Sequence, residues 1–287
     1  MSSVLVAAPV RSRLTRLRRL GGLLVVAAAV VLVVFVLMAL FARWLAPYDP
    51  NAVDLSNTLA PPSSAHWLGT DEVGRDTLSR LIYGAQTSLI GPLAVVLIAT
   101  ILGTLTGLYA AWRGGVVDAL ISRALDIVFA FPALLLAILV VAIYGKGLTA
   151  PVIAMALAYT PYTARLVRSL VLQEKTRPYV AAYRVQGFSG FFIAYRRVLA
   201  NVSPTVLAQS TVSFGYALLD LAALSFLGFG VQPPTADWGS MVNNGEGAVL
   251  QGQPLSAIAP AIAIVVVVVA FNLVGESIGD RIAGRDR

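Results

Sequence analysis

Cysteine is missing from all 287 residues, histidine occurs once, and charged residues make up only 12% of the chain. Each shortage closes off a class of function. Without cysteine there is neither a disulfide framework nor a thiolate-ligated metal centre. The lone histidine, His66, has no second imidazole to share a metal and no nucleophile beside it to activate, so no catalytic or metal site is expected. The phosphate-cradling pattern GxxxxGK(S/T) is absent, which means any nucleotide energy must come from a partner. A soluble surface needs roughly a quarter charged residues. A chain that is 58% hydrophobic, with a mean hydropathy of +0.81, belongs in a bilayer instead.

What is present is apolar and long. A membrane-spanning helix needs about 20 mostly apolar residues to cross a hydrocarbon core of about 30 Å. Six stretches reach or approach that length: Gly21 to Ala42, Ala85 to Trp112, Ile127 to Gly145, Gly147 to Ala164, Val202 to Val231 and Ile258 to Val274. The first is longer than the roughly 7 to 15 apolar residues of a signal peptide and is read as a retained helix. The expectation is an all-α membrane protein with six transmembrane helices.

The net charge of +7 would point to nucleic acid in a soluble chain, but here lysine and arginine act first as topology signals. Of the 21 basic residues, all but Arg43, Arg75, Arg80 and Lys146 fall on one side of the predicted spans. That side is the cytoplasm, and both termini face it. No nucleic acid partner is expected; the lipid bilayer is. The resulting organisation is a basic tail over 1–19, a first span over 20–44 and an external segment over 45–84. A five-helix core follows over 85–280, interrupted by a cytoplasmic loop over 165–201, and then a short tail over 281–287.

That loop contains RPYVAAYRVQGFSGFFIAYRRVLANVSP, from Arg177 to Pro204. It is far longer than a connector requires. Pro178 suits the first turn of a short helix and Gly187 its C-terminal stop, with a second helical stretch over Phe191 to Ala200. On physical grounds alone it is either a docking element or a basic interfacial loop resting on anionic lipid.

The segment resembles the cytoplasmic signature of ABC importer permeases. In that register Ala181, Ala182, Tyr183 and Gly187 occupy the Glu-Ala-Ala and glycine portion, with Leu199 and Ala200 in the terminal Leu-Pro positions. Ala181 replaces the family's glutamate and Ala200 its proline, so a docking role for that glutamate does not carry over. HWLGTDEVGRDTLSRLIYGAQTSL from His66, SFLGFGVQPPTADWGSM from Ser225 and AFNLVG from Ala270 are similar to signatures of the dipeptide, oligopeptide and nickel group, in its C-type subunit. Trp67 stands for a proline of that pattern and Glu276 for an aspartate.

The resemblance implies a type I importer half with the MetI-like fold. It also implies a second homologous permease, two ATPase subunits or domains that bind ATP and magnesium, and an external solute-binding protein. No cofactor is expected in this chain. The coupling helix is expected at Pro178, Ala181, Ala182, Tyr183, Arg184 and Gly187, inserted into the ATPase. Arg184, Arg196 and Arg197 are expected to pair with ATPase carboxylates or with phospholipid headgroups.

Several residues stand out on their own. Asp220 is the one acid inside an apolar span, an expensive position that marks either a possible intramembrane polar site or a structural pair with an arginine or a backbone donor. The family's glutamate in this region aligns with Leu221, one position on. The GTDEVGRD stretch reads as a rigid external scaffold whose acids pair with Arg75. Pro132 and Pro161 read as helix kinks. The external stretch from Val231 to Pro254, with Gln232, Asp237, Asn243, Asn244 and Glu246, reads as facing the binding protein or the solute. The competing functions are a stand-alone secondary transporter, which usually shows repeats and intramembrane charge pairs, a membrane-embedded enzyme, and a scaffold.

Overall fold

The computed structural model describes residues 11–285, and among them every regular element is helical. Residues 1–10 of the expected basic tail and residues 286–287 of the C-terminal tail lie outside the described residues. Helix α1 (Arg11–Leu40) carries the end of the basic tail into the first apolar run without a break, and a short α2 (Ala42–Leu45) follows it. An irregular segment with one 3-10 turn (Leu55–Asn57) leads to α3 (Thr77–Arg113), 37 residues long. Helices α4 (Gly115–Phe129) and α5 (Ala133–Tyr144) come next, then α6 (Thr149–Glu174) and the short α7 (Pro178–Val185). A three-residue α8 (Gly190–Phe192) runs through a π-helical turn (Ile193–Val198) into α9 (Leu199–Phe226). Two short helices, α10 (Trp238–Asn244) and α11 (Glu246–Leu250), precede α12 (Leu255–Arg285).

Four unbroken stretches are long and apolar enough to cross a membrane: Gly22–Leu40, Thr77–Arg113, Gly190–Phe226 and Leu255–Ile282. The expected third span, Ile127 to Gly145, is not one straight helix. It is divided at Pro132, where α4 and α5 meet at 79°, because Pro132 has no N–H to continue the ladder and its preceding residue resists the helical conformation. The pair makes a fifth crossing only if its two arms are counted together. The expected fourth span continues ten residues past Ala164 as α6, whose second half carries Arg165, Arg168 and Glu174. The loop over 165–201 is therefore largely helical, and its non-helical part shrinks to the turns on either side of α7.

Small residues set the core. A Cβ on Gly103 would sit 2.6 Å from the Thr163 Cβ, and one on Gly107 would fall on the Ala164 carbonyl oxygen. With no hydrophobic driving force between helices inside lipid, such close approach of backbones is what holds helices together there. On the other side, Gly275 of α12 lies against Val212 of α9, and Phe214 stacks on Phe271 with ring centroids 3.9 Å apart. Helix α1 packs on α12 and α3 and turns Leu23, Leu24, Val26 and Val30 outward. An exposed apolar shell around a small-residue core is the arrangement a bilayer demands, since lipid solvates leucine as well as protein does.

The external segment is tied down by charge. Asp76 caps α3 by accepting from the Ser79 N–H at 2.7 Å, and its other oxygen meets His66 Nδ1 at 2.9 Å. The Arg75 guanidinium donates to Asp71 at 2.7 Å, while the buried Arg80 donates to the carbonyls of Pro50 at 2.9 Å and Pro234 at 3.2 Å. His66 is thus held by a capping carboxylate, and Arg80 links three segments distant in sequence.

Candidate functional site

Two places on the molecule combine unusual local geometry with chemistry: the α7 region and a cavity beside α9. Helix α7 starts as its sequence dictates. Arg177 is extended (φ −72, ψ 144), as residues before proline prefer, and Pro178 takes the first helical position, where its missing N–H is no loss. The helix ends by a Schellman motif. The Phe188 N–H donates to the Tyr183 carbonyl at 3.1 Å and the Gly187 N–H to the Arg184 carbonyl at 3.0 Å, with Gly187 at φ +82. The apolar contact that accompanies this motif is the edge-on pair of Tyr183 and Phe188, 5.2 Å between centroids. Ser189 then caps α8 by accepting from the Phe192 N–H at 3.2 Å.

One side of α7 is anchored. Val180 is fully buried among Leu108, Val167, Val171, Ile193 and Val198, which joins α7 to α3, α6 and the π-helical turn. The inner face of Tyr183 receives the Arg197 guanidinium at 5.0 Å, so Arg197 is used in packing. The other side is free: Pro178, Ala181, Ala182, Arg184 and Gly187 are exposed, and Val185 is 89% exposed. Arg184 lies 5.7 Å above the Trp112 ring at its base.

Two residues that the sequence reading passed over hold this element in place. Glu174, 8% exposed at the end of α6, accepts from the Tyr179 hydroxyl at 2.6 Å, from Asn201 Nδ2 at 3.3 Å and from Arg177 Nε at 2.7 Å. One carboxylate therefore ties α6, α7 and α9 together. The Tyr179 hydroxyl is pushed up to about 12, first by burial and then by its bond to Glu174, so it stays a donor at physiological pH. Lys175 Nζ donates to the carbonyls of Ala111 at 2.8 Å and Trp112 at 2.9 Å, closing the C-terminal end of α3. Burial, then the nearby Arg184, lower the Lys175 pKa below its ordinary value. The signal for Glu174 was legible: it is the one acid between Arg165 and Asn201.

Asp220 lies on α9, and its partner is neither an arginine nor a backbone donor. Its Oδ2 accepts from the Tyr159 hydroxyl of α6 at 2.8 Å. Both residues border a cavity of about 540 Å³ between α9, α6 and the α4–α5 bend. By contrast, Asp237 is not available to a solute or a binding protein. It is 5% exposed, caps α10 by accepting from the Ser240 N–H at 3.1 Å, and accepts the Ser88 hydroxyl at 3.0 Å. Its neighbour Trp238 is fully buried, donates from Nε1 to the Leu81 carbonyl at 2.9 Å and meets Phe35 edge-on at 5.5 Å. Within the same stretch Asn243 and Glu246 stay exposed. Among the described residues no group of three or more His, Cys, Asp or Glu is placed to hold a metal ion.

Comparison with known proteins accounts for this architecture. Residues 103–285 match the family described as binding-protein-dependent transport system inner membrane component, and residues 24–62 match the N-terminal transmembrane domain of oligopeptide transport permease C. The chain is 41% identical over 260 residues to a probable D,D-dipeptide transport system permease protein of Escherichia coli K12, covering 91% of this chain and 87% of the relative. It is 43% identical over 267 residues to a di/tripeptide transport system permease protein of Pseudomonas aeruginosa, covering 91% and 86%. It is 38% identical over 255 residues to a nickel transport system permease protein of Escherichia coli K12, covering 89% and 92%. A stand-alone secondary transporter gives way to these matches. The chain belongs to the binding-protein-dependent transport system inner membrane component family, and it is a multi-pass cell-membrane permease subunit of an ABC importer.

Proposed function

We propose that this subunit forms half of the translocation pathway for a short peptide or a related small solute, delivered by an external binding protein. A second homologous permease supplies the other half. Two ATPase subunits or domains bind ATP and magnesium and hydrolyse ATP, and their closure is transmitted through Pro178 to Gly187. In this reading the chain crosses the membrane six times, the α4–α5 pair making one crossing and α6 another. At about 1.5 Å per residue the 26 residues of α6 reach about 39 Å, enough to span and to project beyond the bilayer. Both termini lie in the cytoplasm, on the side where the basic residues cluster.

The observation that carries the reading is the mounting of α7. Its inner side is fixed to three other elements through Val180 and Glu174, while Ala181 and Val185 stand exposed on its outer side and Arg184 rests over Trp112 at the base. A lever needs that combination, because a partner can shift a two-state equilibrium only by contacts that differ between the states. The peptide assignment is drawn from the relatives, two of which are named for dipeptides or tripeptides.

The test is purification of the tagged chain from its native membrane in mild detergent, with identification and stoichiometry of what stays bound. A second permease and two ATPase copies per complex are expected. A lone chain that moves solute in liposomes without ATP would contradict the proposal.

A further inference from the structure

Helix α9 carries its one charged residue, Asp220, at the end of a polar line. Gln209, Ser213, Tyr216 and Asp220 follow one another at spacings of four, three and four, which puts all four on a single helical face. All four border the 540 Å³ cavity. The opposite wall is aromatic: Phe129 and Phe131 come from the α4–α5 bend, and Tyr159 and Tyr162 lie on α6. Tyr162 is 49% and Tyr216 57% exposed, so the cavity opens outward from this subunit.

The charge within it is one-sided. Asp220 accepts one hydrogen bond, from Tyr159, and among the described residues no lysine or arginine pairs with it. The nearest cation along α6, Arg165, is already engaged. It pairs with Asp126 at 3.2 Å and lies over the Phe129 ring at 3.9 Å. A carboxylate at this depth is costly unless something positive or polar compensates it. Neutral hydroxyls and an amide supply hydrogen bonds, and the aromatic rings offer faces that attract a cation but supply no charge of their own.

We propose that this cavity is a transit site for a primary ammonium group, such as the amino terminus of a short zwitterionic peptide, with Asp220 as its counter-charge and Tyr159, Tyr162 and Tyr216 as its aromatic walls. Tyr159 positions the carboxylate by donating to Oδ2, and the second oxygen serves the passing ammonium. The contact is a weak one by design, since a pathway site must release what it binds. The proposal rests on the reading that this chain lines a translocation pathway, and it adds the chemical class that the pathway recognises here. The amino end of α5, whose dipole favours an anion, borders the cavity at Pro132 and Ala133. The test is therefore read as the change on removing the Asp220 charge.

The absence of cysteine makes that test direct. A single Tyr216→Cys variant, in the assembled importer purified with its partners, is labelled with cationic and anionic thiosulfonate reagents of equal size. The label on this chain is followed by mass. One helical turn from Asp220, the cationic reagent is expected to react about tenfold faster, a Coulombic effect at short range. The preference is taken relative to that of the two reagents for a free small thiol, since a thiolate itself favours the cationic reagent, and this normalised preference should collapse towards unity in Asp220→Asn. Ethylammonium chloride should slow cationic labelling at least about twofold relative to sodium chloride of equal strength, and only while Asp220 is present, because cation–π and carboxylate contacts act together.

An unreactive thiol, a preference unchanged by Asp220→Asn, or no difference between ethylammonium and sodium would overturn the proposal. Tyr162→Cys, across the cavity and one turn from the Tyr159 that bonds Asp220, gives the same readout if Tyr216→Cys does not assemble. Failure of these outcomes in a complex that still contains its ATPase subunits sinks the ammonium site alone, whereas absence of those subunits sinks the importer reading.

Discussion

At Gly187 the backbone takes a left-handed conformation (φ +82) with open space around the position, so a side chain there meets strain rather than a clash. Gly187→Val should cost about 1–2 kcal/mol locally, because a β-branched residue resists that conformation, while Gly187→Asn should be milder. The expected phenotype is ATP hydrolysis that continues without matching uptake, measured as solute moved per ATP in proteoliposomes. Glu174 makes a second residue-scale prediction. Glu174→Ala strands the Tyr179, Asn201 and Arg177 donors and should destabilise the subunit by about 1–3 kcal/mol; Tyr179→Phe removes one bond and should cost about 0.5–1.5 kcal/mol. Thermal unfolding in detergent orders the two. If Tyr179→Phe proves the worse, Glu174 is not the tie between the three helices.

Among the elements, α3 and α6 form the most extensive helix pair. Gly107→Leu would drive a side chain into the Ala164 backbone, where no rotamer escapes it. Separation of the two helices and loss of assembled complex are expected, visible as aggregation on size exclusion; an intact complex would mean the contact is slack. The sequence already announced α7, since proline at a helix start and glycine just past its end have fixed conformational meanings. Pro132 was legible as a kink, though not as a 79° bend, because the angle depends on what the two arms pack against. The length of α6 was hidden for a related reason. Arg165 and Arg168 read as loop charges, yet each finds an acid on α4, Asp126 at 3.2 Å and Asp118 at 2.6 Å, and the helix carries them onward. Asp237 read as facing the binding protein or the solute for want of any local sign that Ser88, about 150 residues earlier, would receive it, and nothing local showed that Leu81 would receive Trp238. Long-range satisfaction of buried polar groups is what a linear pattern does not carry.

At the scale of the whole molecule, the described helices form an apolar frame, and the outer side of α7 is the face proposed to meet a partner. The buried anchors of α7, chiefly Val180 and Glu174, would pass a displacement of that helix into α3, α6 and α9 together. The polar stripe of α9 lies on the helix whose Asn201 enters this junction, so the cavity and the anchor of the proposed lever share one element. A ligand-driven change at one end and a nucleotide-driven change at the other would then bias the same two states.

The most direct measurement is cross-linking from the outer face of α7. Val185, 89% exposed, becomes Val185→Cys in a chain with no other cysteine, and a short maleimide–diazirine reagent on it is photoactivated in native membranes. The account predicts a product containing this subunit and an ATPase subunit, altered in yield by ATP. A reagent-labelled Val185→Cys that captures only lipid, or captures the external binding protein, would contradict it.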